Sequence, residues 1–132
     1  MDKKIGVKMK LLEFKIFEKV TSAISTNKIY AGMHWSKRKE IVDSWHEIIY
    51  YTLLQQNIKR ELFKQPVDII VYSDDDLDAD NHFFLIKLII DTLKEYELIV
   101  EDNRKYVKSV KFEFYKEEGI KVEIYGNNTK KW

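Results

Sequence analysis

The stretch Ser73-Asp74-Asp75-Asp76-Leu77-Asp78-Ala79-Asp80-Asn81 leads into an apolar segment, Phe83 to Leu93, whose only charges are Lys87 and Asp91, and then into Glu101-Asp102-Asn103-Arg104. Five carboxylates within seven positions repel one another, and gathering them in a fold requires open water or a cation to offset the cost. If Asp80 caps or opens a helix, a rotation of about 100° per residue places Lys87 about 20° short of it and Asp91 about 20° past it. The three then share one face of a helix that is otherwise apolar nearly all round. Charges kept in such surroundings are paired, metal-bound or functional far more often than idle. The stretch predicts a helix from Asn81 to Tyr96 with a metal site at its start.

Working outward, Val67 to Tyr72 reads as a strand that delivers the chain into the acidic loop. After the helix, Glu97 to Asn103 is a turn carrying the pair Glu101-Asp102. Tyr106 to Tyr115 then alternates as a third strand, and Gly119 opens a fourth through Ile120, Val122 and Ile124. Glu117-Glu118-Gly119 is expected to be a hairpin connection between the two. Upstream, Leu12, Phe14 and Ile16 alternate with Glu13 and Lys15, which predicts a first strand over residues 10–19. Thr21 to Gly32 is polar and is expected to be a long exposed loop. Ser36 is the expected N-cap of a long amphipathic helix, with Ile41, Trp45, Ile48, Ile49, Thr52 and Leu53 at helical spacing, ending near Lys59 to Phe63 before Pro66. Residues 126–132 read as a frayed, flexible tail in which Trp132 can dock. The order β-α-β-α-β-β defines an α+β domain with a mixed, mostly antiparallel four-stranded sheet and two helices on one face.

The 132 residues suit one domain, residues 1–132, and 45% apolar content with 14% aromatics is globular. The absence of cysteine removes disulfides and thiolate metal sites and fits a reducing, cytoplasmic setting. The first apolar run, Leu11 to Val20, is cut by four charges, which argues against a signal peptide or membrane span. Removing Asp74, Asp75, Asp76, Asp78 and Asp80 from a net charge of +1 leaves +6. An otherwise basic chain with one concentrated negative spot is the pattern that a polyanion substrate and a metal-dependent site require. A soluble protein with one exposed acidic loop is the plainer alternative.

Several chemistries fail on spacing. A calcium loop starting at Asp74 has Ala79 at its sixth position and Leu85 at its twelfth, where Gly and a bidentate Glu belong; a start at Asp76 gives Asn81 and Lys87. His34, His46 and His82 are isolated, and His46-Glu47 has no second histidine for zinc. Neither a nucleophile elbow nor a Gly-rich phosphate loop is present. What remains is Asp78, Asp80, Asn81, Lys87, Asp91 and Asp102. Asp78, Asp80 and Asp102 can converge as ligands of one or two hard divalent ions, Mg²⁺ or alternatively Mn²⁺, for hydrolysis of a phosphodiester. Lys87 then neutralises developing charge, and Asp91, four residues on, orients its ammonium.

These elements resemble the RusA-type Holliday junction resolvases, an endodeoxyribonuclease family whose pattern is Asp-x-Asp-Asn, a lysine, an aspartate four residues later, and an acidic pair ending in Asp. Here they are Asp78-Ala79-Asp80-Asn81, Lys87, Asp91-Thr92-Leu93 and Glu101-Asp102, and Thr26-Asn27-Lys28-Ile29-Tyr30 is similar to the family's Asn-rich loop. Lys87 stands three residues further along than in the commonest pattern, on the same face but one turn lower. The resemblance implies a RusA-like fold, a homodimer and four-way DNA junctions as substrate in recombination and repair. It also implies phosphate contacts from Lys28, Lys37, Arg38, Lys39 and Arg104, with Glu101 in support of Asp102. Tyr30, Met33 and Trp35 are then either contacts to DNA or a second subunit or, as their apolar character predicts, satellite core. The alternative function is binding of branched DNA without cleavage, with the acidic site structural.

Overall fold

The structure, a computed structural model, describes residues 8–127. Four strands form one mixed sheet in the order β1-β4-β2-β3: β1 is Lys8–Ile16, β2 Val67–Ser73, β3 Val107–Phe114 and β4 Ile120–Asn127. β4 runs antiparallel to β1 and β2, and β3 runs parallel to β2. The mostly antiparallel α+β sheet is as expected. Three α-helices rather than the expected two accompany it, because the region expected as a loop contributes a short one: α1 Thr26–Tyr30, α2 Trp35–Gln55 and α3 Phe83–Glu95. No described helix is long and apolar enough to cross a membrane.

The alternation read from the sequence sets the two faces. Phe14, Ile16, Ile69, Val71, Ile120, Val122 and Ile124 are buried, and Ile49 and Leu53 of α2 and Leu85, Leu88, Ile89 and Leu93 of α3 join them in one core. Each such side chain withdrawn from water contributes about 1.5–3 kcal/mol. α2 and α3 lie side by side. Arg38 of α2 reaches Tyr30, whose ring meets Phe84 at the start of α3, and Tyr50 meets Tyr96 just past its end. The starts of both helices are thus at one end of the molecule, beyond the C-terminal end of β2.

Several boundaries differ from expectation: β1 spans Lys8–Ile16 rather than residues 10–19, and α2 is capped by His34 rather than by Ser36; four further differences have local reasons. α2 stops at Gln55 because Asn57 takes a left-handed conformation (φ 57°) and Ile58 N–H bonds back to the Leu53 carbonyl, turning the chain inward. Glu97 (φ 65°) ends α3 in the same way, with Leu98 N–H on the Leu93 carbonyl. Residues 21–32 are not an open loop. Thr21 caps a 3₁₀ turn at Ser22–Ile24, Ser25 caps α1 through Lys28 N–H, and Ile24 and Ile29 are buried. Of the expected tail, Gly126 and Asn127 belong to β4; residues 128–132, Trp132 included, lie outside the described residues.

The expected β3–β4 hairpin does not form, because β2 lies between the two strands. Alternation gives each strand a face but not a neighbour, and β2, whose Val67, Ile69 and Val71 are fully buried, takes the central position. The connection therefore crosses two strand spacings, about 10 Å. Tyr115 steadies it, its hydroxyl donating to the Gly119 carbonyl at 2.9 Å. Gly119 (φ +86°) is required there, since a Cβ would lie 2.8 Å from the Ile16 carbonyl oxygen.

The sheet face away from the helices is polar and is organised by Glu123. This nearly buried carboxylate accepts from the hydroxyls of Tyr72 (2.8 Å) and Tyr125 (3.0 Å) and pairs with Lys10 (3.2 Å) and Lys121 (3.5 Å). Burial pushes the carboxyl up, but hydrogen bonds from Tyr72, Lys10 and Tyr125 outweigh it and hold the group at about 2. Burial and the bond to Glu123 push the Tyr72 hydroxyl up to about 12. With the folded value below the ordinary one, this stabilisation is complete above pH ~4.5 and is lost as pH falls toward 2, on the order of 2–3 kcal/mol in all. Glu123→Gln is expected to lower stability at pH 7 by roughly 2 kcal/mol and to flatten the loss of stability between pH 5 and 3; urea unfolding with wild-type pH dependence in the variant would contradict this assignment.

Candidate functional site

The acidic stretch between β2 and α3 is built around a buried pair. Asp75 turns inward with its side chain 3% exposed and accepts from Ser73 Oγ (2.5 Å), Leu77 N–H (2.8 Å) and His82 Nε2 (2.8 Å). His82 is fully buried. Its Nδ1 donates to the Ala79 carbonyl at 3.1 Å, and its ring stacks on Phe112 of β3 with centroids 3.9 Å apart. The Asp75 to Leu77 bond makes a side-chain turn, which closes the loop so that residues 79–82 form a 3₁₀ turn leading into α3. The helix thus begins at Phe83 rather than at Asn81.

The loop is docked from its other side by α1. Asn81 Oδ1 accepts from Asn27 N–H at 3.0 Å, and Thr26 Oγ1 accepts from Phe84 N–H at 3.0 Å. The second bond satisfies one of the N–H groups left open at a helix start. Lys28 and Tyr30 are thereby carried beside the acidic loop. Asp78 and Asp80 remain exposed, and neither carboxylate has a hydrogen-bond or ion-pair partner among the described residues.

The other expected ligand is elsewhere. Asp102 lies beyond the C-terminal end of α3, a helix of 13 residues and hence about 20 Å long. It shortly precedes Val107, which pairs with Val67 at the start of β2, whereas Asp78 and Asp80 follow the end of β2. The structure does not bring Asp102 to Asp78 and Asp80 within one chain, and among the described residues no three carboxylate or histidine side chains are grouped to hold a metal ion. Lys87 and Asp91 do share an α3 face, 3.5 Å apart. Glu101 pairs with Lys94 at 3.4 Å.

The expected phosphate contacts divide in the same way. Lys28 on α1 and Lys37, Arg38 and Lys39 in the first turn of α2 are at the acidic-loop end, whereas Arg104 is beside Asp102 at the other. Lys39 is occupied by Asp43 at 2.7 Å. Lys28 and Lys37 have no ion-pair partner among the described residues, and Arg38 lies over the Tyr30 ring, its Nε without a hydrogen bond. Met33 packs against the core, but Tyr30 is 55% exposed and Trp35 69% exposed, so the satellite-core reading fails for both rings.

Neither Asp75 nor His82 is among the residues that the sequence pattern assigns to the site. The available signal was the side-chain turn in Asp75-Asp76-Leu77 with the histidine seven positions on. No protein-family model matches the chain, and no curated protein matches it.

Removing a buried acceptor leaves its donors unsatisfied, at a cost of about 1–3 kcal/mol for each. Asp75→Ala is expected to lower unfolding free energy by about 3 kcal/mol, and Asp74→Ala and Asp76→Ala, on exposed carboxylates, by less than about 0.5 kcal/mol. Equal losses for all three in chemical denaturation would show that Asp75 is no different from its neighbours.

Proposed function

We propose that the chain is a Mg²⁺-dependent endodeoxyribonuclease of the RusA type that cleaves four-way DNA junctions. The observation that carries this reading is that Asp78 and Asp80, without partners among the described residues, stand on a loop locked from within by Asp75 and His82, with Lys28 and Lys37, likewise unpaired among the described residues, at the same end. The donor set fits the ion. Mg²⁺ is held through one or two carboxylates with waters and substrate phosphate completing the shell, so Asp78 and Asp80 suffice to hold it on DNA. Bound there, the ion supplies neutralisation of phosphate charge and an acidified water.

The chain's own groups do the rest. Lys28 and Lys37 attract the DNA backbone without reading sequence. The buried clamp fixes where Asp78 and Asp80 stand, so little ordering remains when DNA arrives. Asp102, some 20 Å of helix away, serves the site of a second protomer in a homodimer packed so that opposite ends meet. Lys87, steadied by Asp91, faces the same solvent.

One observation favours the alternative of branched-DNA binding without cleavage: a lone chain offers two carboxylates where the resemblance implies three, and its Lys87 is already ion-paired.

Incubating the protein with a mobile four-way junction or a matched linear duplex in Mg²⁺ decides between them. Cleavage of the junction alone, falling at least about a hundredfold in Asp80→Asn, is expected; uncut junction that is still bound selects the binding protein. Mixing Asp80→Asn with Asp102→Asn protomers tests the shared site. Assembly in trans leaves one intact site per mixed dimer and restores cleavage, whereas assembly within one chain restores none.

A further inference from the structure

We propose that Trp35 and Tyr30, with the Arg38 guanidinium beside them, form a stacking platform for unpaired DNA bases next to the acidic loop. The inference rests on the DNA-directed reading above but concerns a different contact. Trp35 opens α2 with its ring 69% exposed, and the His34 imidazole stacks on it with centroids 5.7 Å apart. Tyr30, 55% exposed, is held edge-on by Phe84 at 6.1 Å and covered on one side by Arg38 at 5.7 Å. Arg38 follows Trp35 by three residues, so it leaves α2 on the same side as Trp35 while its guanidinium covers Tyr30.

This arrangement has a cost that calls for a ligand. A soluble domain gains by burying tryptophan and tyrosine, and here both stand in water although Met33 between them turns into the core. Each is rigidly mounted: Tyr30 by α1, which Thr26 and Asn27 tie to the α3 start and the acidic loop, and Trp35 by the His34 side chain, whose Nδ1 caps α2 on Ser36 N–H. Exposed rings beside a guanidinium bind the faces of bases irrespective of sequence. Lys28 and Lys37, which have no ion-pair partner among the described residues, supply charge complementary to the phosphates linking those bases. Bases in a duplex are stacked on one another and offer no free face, so the platform takes the unpaired bases of an opened branch point or a single strand.

The test uses fluorescence anisotropy in EDTA with a dye-labelled oligothymidylate and a matched duplex. Wild type is expected to bind the oligothymidylate, Trp35→Ala to bind it roughly tenfold more weakly with duplex binding changed less than about twofold, and Trp35→Phe to retain most of the affinity. Unchanged binding by Trp35→Ala, equal loss on both DNAs, or no binding by wild type overturns the platform. Because no divalent ion is present, a protein that shows the expected pattern yet never cleaves a junction removes the nuclease reading alone. One that cleaves while Trp35→Ala binds oligothymidylate normally removes the platform alone. Thermal unfolding of Trp35→Ala at the wild-type temperature establishes that the substitution of an exposed ring leaves the fold intact.

Discussion

A carboxylate taken out of water costs several kcal/mol unless its oxygens are satisfied, and the acidic end of this molecule depends on how Asp75 meets that demand. Ser73, Leu77 and His82 all donate to it, and each lies within seven residues in the chain. Satisfying one carboxylate therefore folds the whole segment between β2 and α3 back on itself. The His82 ring, in turn, is pressed on Phe112, so the loop is anchored to β3 as well as to its own ends. With Asp75 turned inside, Asp78 and Asp80 find no donor among the described residues and are exposed.

The same economy separates the molecule's other charges. Glu123, Asp68 and Lys10 are consumed on the polar sheet face, where Asp68 is held by Lys8 and Ser109. Lys39, Lys94 and Glu101 are consumed in pairs along the helices. Surface pairs of this kind contribute little to stability, and among the described residues Lys28, Lys37, Asp78 and Asp80 stay out of them at one end of the molecule. Asp102 and Arg104 lie at the opposite end, which makes geometry, not chemistry, the reason that one chain does not assemble three carboxylates.

The strands were legible because period-two burial is written directly into Leu12, Phe14, Ile16 and into Val67, Ile69, Val71. Helix ends were less so. Asn57 and Glu97 adopt left-handed backbone that glycine would have advertised; asparagine favours that conformation only weakly by comparison, and glutamate does not signal it. Strand neighbours were not legible, since β3 and β4 alternate equally well whether paired or parted. At the candidate site, Asp78 and Asp80 were singled out by their spacing and by the family pattern they resemble. Their separation from Asp102 was hidden because helical periodicity reports angle around an axis and says nothing about which end of the axis a flanking turn occupies. Asp75 did not stand out from its neighbours because exposed and buried aspartates look identical until a donor such as His82 is placed.

The position of β4 has a consequence for the order in which the sheet can come together. β1 pairs with β4 alone, and their outermost partners, Lys8 and Asn127, are separated by nearly all of the described chain. β2, α3 and β3 can assemble from neighbouring segments, but β1 has no sheet partner until the last strand is threaded between it and β2. Such long-range closure slows folding and leaves strand edges open meanwhile. During synthesis the acidic loop can form within its own βαβ unit while the α1 region that docks on it still hangs from an unpaired strand, so emergence of residues 120–127 from the ribosome is the event that makes the sheet whole.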